Sequence, residues 1–142
     1  FNIQIVISGK IIEIKKSEEI FLNNGVKKFV QLNVSAAFHS KFMIKAQEEL
    51  SKDIKNLSLR DNSIKIISNF DADAHTENSS IKKNLQNQMA NRVKWTQSIK
   101  KLENLGESKI IEIGPSKVLS GLIKRISNNF DIISINEISD IK

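Results

Sequence analysis

The stretch KIIEIGPSKVLSGLIKRI, Lys109 to Ile126, decides the fold. Its isoleucines read as a strand. Gly114 and Pro115 then make a tight turn, and Ser116 is placed to cap the helix that follows. FDIISIN, from Phe130, supplies the last strand. Working back from this unit, VKWTQSIKKLENLG predicts a helix closed by Gly106, with Trp95, Ile99 and Leu102 on its core face. FDADAHTENSS predicts a polar loop whose final serines cap the helix IKKNLQNQMAN. IKIISN predicts a short strand, and RDNS breaks the helix before it. In that helix Met43, Ala46, Leu50, Ile54 and Leu57 recur at three- and four-residue spacing.

Nearer the start, IQIVISG (Ile3–Gly9) and VKKFVQLNV (Val26–Val34) predict strands on either side of a helix ended by Gly25. The three form a β-α-β unit, which implies a crossover between strands of one sheet. Strand and helix alternate along the chain, so the class is α/β.

Composition sets the limits. A chain of 142 residues suits one domain with a sizeable core. Hydrophobic residues at 39% and charged residues at 27% read as globular rather than disordered. No apolar run approaches the ~20 residues that span a bilayer, so no membrane partner is expected. Cysteine is absent, which removes disulfides, thiolate metal sites and cysteine nucleophiles and fits a cytoplasmic protein. With two histidines, a His-rich metal site is not expected.

The net charge of +6 would attract polyanions. The lysines are scattered, however, and there is no tyrosine to interleave with them, so no nucleic-acid partner is expected. The chain opens at Phe1 directly in strand-like sequence, as a chain cut within a longer one would.

His39, in NVSAAFHSKFM, is the candidate for chemistry. A lone loop histidine is more often satisfied by backbone hydrogen bonds than catalytic. This one follows a strand and precedes a helix, where functional groups gather in α/β folds. A histidine base needs a nucleophile, and none of the five glycines opens a G-x-S-x-G elbow. Ser40 is adjacent to His39 and better suited to capping the helix. His75 lies among Asp71, Asp73 and Glu77, but the spacing fits no EF-hand and reads as a solvated loop.

Several segments together resemble one family. QIVISG, LNVSAAFHSKFM, IISNFDA, LQNQMANRVKWTQSI and IIEIGPSKVLSGLIKRI are similar, in family order, to motifs of the malonyl-CoA:acyl carrier protein transacylases. They are also similar to the acyltransferase domains of fatty acid and polyketide synthases. Arg92 stands where the family usually has proline, and Ser116 where it usually has glycine. Phe38 stands before the histidine, where in the synthase acyltransferase domains a Phe goes with malonyl rather than methylmalonyl.

The resemblance covers the C-terminal half. It implies an α/β hydrolase-like core with an inserted ferredoxin-like subdomain, residues 1–33 closing the insert and 34–142 belonging to the core. It implies His39 as the catalytic base, with a backbone carbonyl near Gln88 orienting its ring. It implies transfer of malonyl from malonyl-CoA, a substrate and not a cofactor, to the thiol of acyl carrier protein in fatty acid biosynthesis. The serine nucleophile and the arginine that grips the malonyl carboxylate have no match in the chain. Its further partner is therefore expected to be the missing N-terminal part, and the chain alone is expected to be inactive. Two alternatives stand beside this: an inactive split or decayed fragment that only binds, and a domain of a synthase.

Overall fold

The computed structural model describes residues 4–61 and 63–141. Ile3 and Asn62, placed above in a strand and a helix break, lie outside them. In chain order the elements are α1 (Ile11–Asn23), a 3-10 turn (Lys41–Met43), α2 (Ile44–Asn56), β1 (Ile66–Ile67), β2 (Ala74–His75), α3 (Asn78–Asn87), α4 (Trp95–Asn104), β3 (Lys109–Ile113), α5 (Val118–Ile126), β4 (Asp131–Ile135) and a 3-10 turn (Ile138–Asp140).

The unit that decided the fold forms as expected. β3 and β4 pair in parallel, with Ile110 opposite Ile132 and Glu112 opposite Ser134. Side chains alternate across a strand, so Ile110 and Glu112 share one face and Ile111 and Ile113 the other. The first face is covered by α4 and α5. Ile99, Ile123 and Phe130 form its buried cluster, and Trp95, Leu102, Ile126 and Ile132 pack around them. The second face is open: Ile111 is 51% exposed and Ile113 80%. Parallel sheets are normally covered on both faces.

A second layer joins α2 to α3. Ile54 and Ile81 are buried, and Gln86 Nε2 donates to the Ser51 carbonyl at 3.2 Å across the pair. The apolar spacing of α2 thus faces a real partner, although Leu50 and Leu57 at its edge stay exposed.

Both predicted glycine stops hold. Gly25 and Gly106 have φ of 89° and 80°. In each case the next residue's N–H reaches back to the last helical turn, Val26 to Phe21 at 3.0 Å and Glu107 to Leu102 at 3.1 Å.

Other expectations are corrected. Residues 4–9 and 26–34 carry no strand, and among the described residues only β1 with β2 and β3 with β4 pair. A strand is defined by its ladder, and among the described residues neither segment has one. The polar loop contains β2, which pairs antiparallel with β1 through Ile66–His75 and Ile67–Ala74. The serines before α3 lie inside its first turn, and its N-cap, Glu77, makes no side-chain cap.

Ser116 does not cap α5. Glu112 does so from the strand. Its carboxylate accepts the Leu119 N–H at 3.0 Å and the Ser120 N–H at 2.9 Å. It also accepts the Ser120 hydroxyl, which lies 3.0 Å from the hydroxyl of Ser134. Those two N–H groups are among the ones a helix start leaves unpaired.

Candidate active site around His39

The loop before α2 is built by local hydrogen bonds. The Ser40 hydroxyl donates to the Ala37 carbonyl at 2.6 Å and accepts the Phe42 N–H at 3.3 Å. That is the cap expected of Ser40. His39, next to it, has φ of 61°, in the left-handed region that few side chains adopt. Its N–H donates to the Met89 carbonyl at 2.8 Å, which ties the loop to the end of α3.

The ring is oriented from the same place. Nδ1 lies 2.9 Å from the Gln88 carbonyl oxygen and 3.1 Å from that of Asn91. Both partners can only accept, so Nδ1 carries a proton, and in the neutral ring the lone pair falls on Nε2. Gln88 is the C-cap of α3. The last carbonyls of a helix have no partner within it, so they are free to hold a ring. His39 is exposed, so Nε2 can meet a group brought from outside. The ring is thus a positioned proton acceptor with no carboxylate behind it among the hydrogen bonds of the described residues.

The two residues named from sequence, His39 and, through the resemblance, Gln88, meet here through the Gln88 carbonyl. The carbonyls of Met89 and Asn91 left no signal, because every residue has a carbonyl. The rim of the loop is basic: the Lys10 and Lys41 ammonium groups lie 5.9 and 5.8 Å from the ring centroid of Phe42.

His75 belongs to a different cluster. Its Nε2 lies 2.8 Å from Asp71 Oδ2. Burial pushes the Asp71 carboxyl up, but hydrogen bonds from the Asp73 N–H, His75 and Asn84 outweigh it and hold the group below its ordinary range. Lys101 sits 2.6 Å from Asp73 and, by hydrogen bond first and charge second, lowers that carboxyl too. Among the described residues no group of three His, Cys, Asp or Glu side chains could hold a metal. Among them, too, no helix is long and apolar enough to cross a membrane.

No protein-family model matches the chain. The malonyl CoA-acyl carrier protein transacylase of Bacillus subtilis (strain 168) is 38% identical over 134 residues, which cover 94% of this chain and 42% of that protein. The polyketide biosynthesis protein PksE of the same organism is 44% identical over 126 residues, covering 88% of this chain and 16% of that one. Among solved structures, the malonyl-CoA:acyl carrier protein transacylase of Xanthomonas oryzae pv. oryzae superposes with a TM-score of 0.86 at 32% identity, over 93% of this chain and 42% of that one. A type II polyketide acyl carrier protein in complex with its malonyl-transacylase gives a TM-score of 0.87 at 25% identity, over 93% and 43%. The chain spans less than half the length of the transacylases it matches.

Proposed function

We propose, for a chain that matches the C-terminal part of malonyl CoA-acyl carrier protein transacylases along nearly its whole length, that it supplies the proton shuttle of such an enzyme. The observation that carries the reading is the His39 ring, fixed through Nδ1 to the Gln88 carbonyl at 2.9 Å with Nε2 free.

A serine outside these 142 residues attacks the malonyl-CoA thioester and passes its proton to Nε2 of His39. The imidazolium returns that proton to the departing CoA thiolate, leaving malonyl on the serine. The pantetheine thiol of acyl carrier protein then gives its proton to the same Nε2 and takes the malonyl group from the serine, whose departing oxygen recovers that proton from the imidazolium. The Gln88 carbonyl keeps the ring in one tautomer through both halves, the orienting part a carboxylate plays in a triad. No cofactor enters the scheme, since CoA is part of the substrate. Phe38, beside the base, supports malonyl as the acyl group. The setting is cytoplasmic fatty acid synthesis, with no nucleic acid or membrane involved.

The higher identity to PksE favours a second setting, polyketide synthesis, for the same chemistry. Paired assays with acyl carrier proteins of the two kinds separate them by the preferred acceptor.

The reading is tested by co-producing the chain with the N-terminal part of the Bacillus subtilis transacylase. Transfer of labelled malonyl from malonyl-CoA to acyl carrier protein is then measured. The reading expects transfer by the assembled pair, none by either piece, and loss of transfer with His39→Ala. An assembled, folded pair that transfers equally well with His39→Ala overturns it.

A further inference from the structure

We propose that Gln47 is a positioning residue for the His39 imidazole, acting through the turn that follows α3. Its bearing on turnover rests on the reading of His39 as the base; its geometry does not.

The turn runs from Gln88 to Asn91, just past the end of α3. Each residue in it gives one main-chain group to the segment that carries His39. The Gln88 and Asn91 carbonyls accept from Nδ1 at 2.9 and 3.1 Å. The Met89 carbonyl accepts the His39 N–H at 2.8 Å. The Ala90 N–H donates to Oε1 of Gln47, also at 2.8 Å. Gln47 is half-buried in the first turn of α2, the helix that begins just after His39.

The Met89 carbonyl and the Ala90 N–H are opposite ends of one peptide unit. That unit is planar and stiff, so hydrogen bonds at both ends set the orientation of the whole plane. The Gln88 carbonyl belongs to the peptide unit before it, and the Asn91 carbonyl to the second one after it. The pinned plane therefore lies between the two groups that hold the ring. The bonds from Gln88, Met89 and Asn91 all end on His39 itself. Among the hydrogen bonds of the described residues, Gln47 is what ties the turn to this segment independently of the residue being oriented. Without its oxygen the Ala90 N–H turns to water, and the plane can tilt about the bond left at its other end. The carbonyls beside it then drift from Nδ1, and the preference for Nδ1–H weakens.

Nitrogen-15 NMR of the full 142-residue chain, in alkaline buffer where both imidazoles are neutral, reads the tautomer directly. His75→Gln assigns the two rings. In the wild-type chain His39 is expected as the Nδ1–H form. Gln47→Met keeps the length of the side chain without its carbonyl, and the ratio of Nδ1–H to Nε2–H should fall about two- to ten-fold, the weight of one hydrogen bond. Gln47→Ala gives the same fall and decides the matter if Gln47→Met does not fold. Gln47→Glu restores an acceptor for the Ala90 N–H and should return the ratio to within about two-fold of wild type. Gln86→Ala removes the bridge from α3 to the Ser51 carbonyl of α2 but leaves the Ala90 bond in place, and should leave the ratio unchanged. An unshifted ratio in folded Gln47→Met or Gln47→Ala overturns the proposal and leaves the reading of His39 standing. So does an equal fall in Gln86→Ala, which would trace the effect to helix packing. A wild-type ring in the Nε2–H form overturns both the proposal and the reading of His39 as the base.

Discussion

The carbonyl of Gln88 stands 2.9 Å from Nδ1 of His39, a residue 49 positions earlier in the chain. What Gln88 contributes there is main chain. Gln88→Ala in the assembled enzyme should therefore change turnover less than about ten-fold, whereas His39→Ala should cost about 10²–10⁴, the usual worth of a positioned base. Steady-state transfer rates for the two variants check the contrast.

The backbone of His39 gives a second prediction. At φ of 61° a Cβ is strained by about 1–2 kcal/mol, and glycine is not. His39→Gly and His39→Ala both remove the ring. The glycine variant should be the more stable by about 1 kcal/mol, reversing the order found in ordinary backbone. Urea denaturation of the two variants measures it.

Glu112 makes folding sensitive to acid. The Ser120 hydroxyl, then the Ser120 and Leu119 N–H groups and Ser134, outweigh burial and hold its carboxyl below the ordinary 4.5. A depressed folded value means that the carboxylate's contribution is complete above that ordinary value and is lost as pH falls through the lower one. Glu112→Gln should lower the urea midpoint near neutral pH. The gap to wild type should close as pH falls below the ordinary carboxylate value of 4.5 and through the lower folded one.

The two sides of β3 should respond differently to substitution. Ile99 and Ile123 are each 2% exposed, and truncating either to alanine should cost about 2–5 kcal/mol. Ile113→Ser, at a residue 80% exposed, should stay within about 0.5 kcal/mol in the isolated chain. Thermal melts of the three variants test the ranking.

Some of this was legible in the residues and some was not. β3, its turn, α5 and β4 follow from local pattern, since short-range spacing sets them. The two glycine stops follow from chemistry that glycine alone does easily. The strands expected at residues 4–9 and 26–34 failed because strand propensity needs a neighbour, which lies outside any local window. Glu112 offered a signal that went unread: a carboxylate at an inward-facing position of an apolar strand must have donors waiting. His39 was visible as a residue type in a suggestive place. Its tautomer was not, because the groups that set it are carbonyls from an element far along the sequence.

The open face of β3 and β4 turns the chain into its own binding assay. Whatever covers Ile111 and Ile113 adds stability in proportion to the logarithm of its concentration over its dissociation constant. The melting temperature of this chain should therefore climb as a matching polypeptide is titrated in. A substitution such as Ile113→Ser, silent in the chain by itself, should flatten that climb.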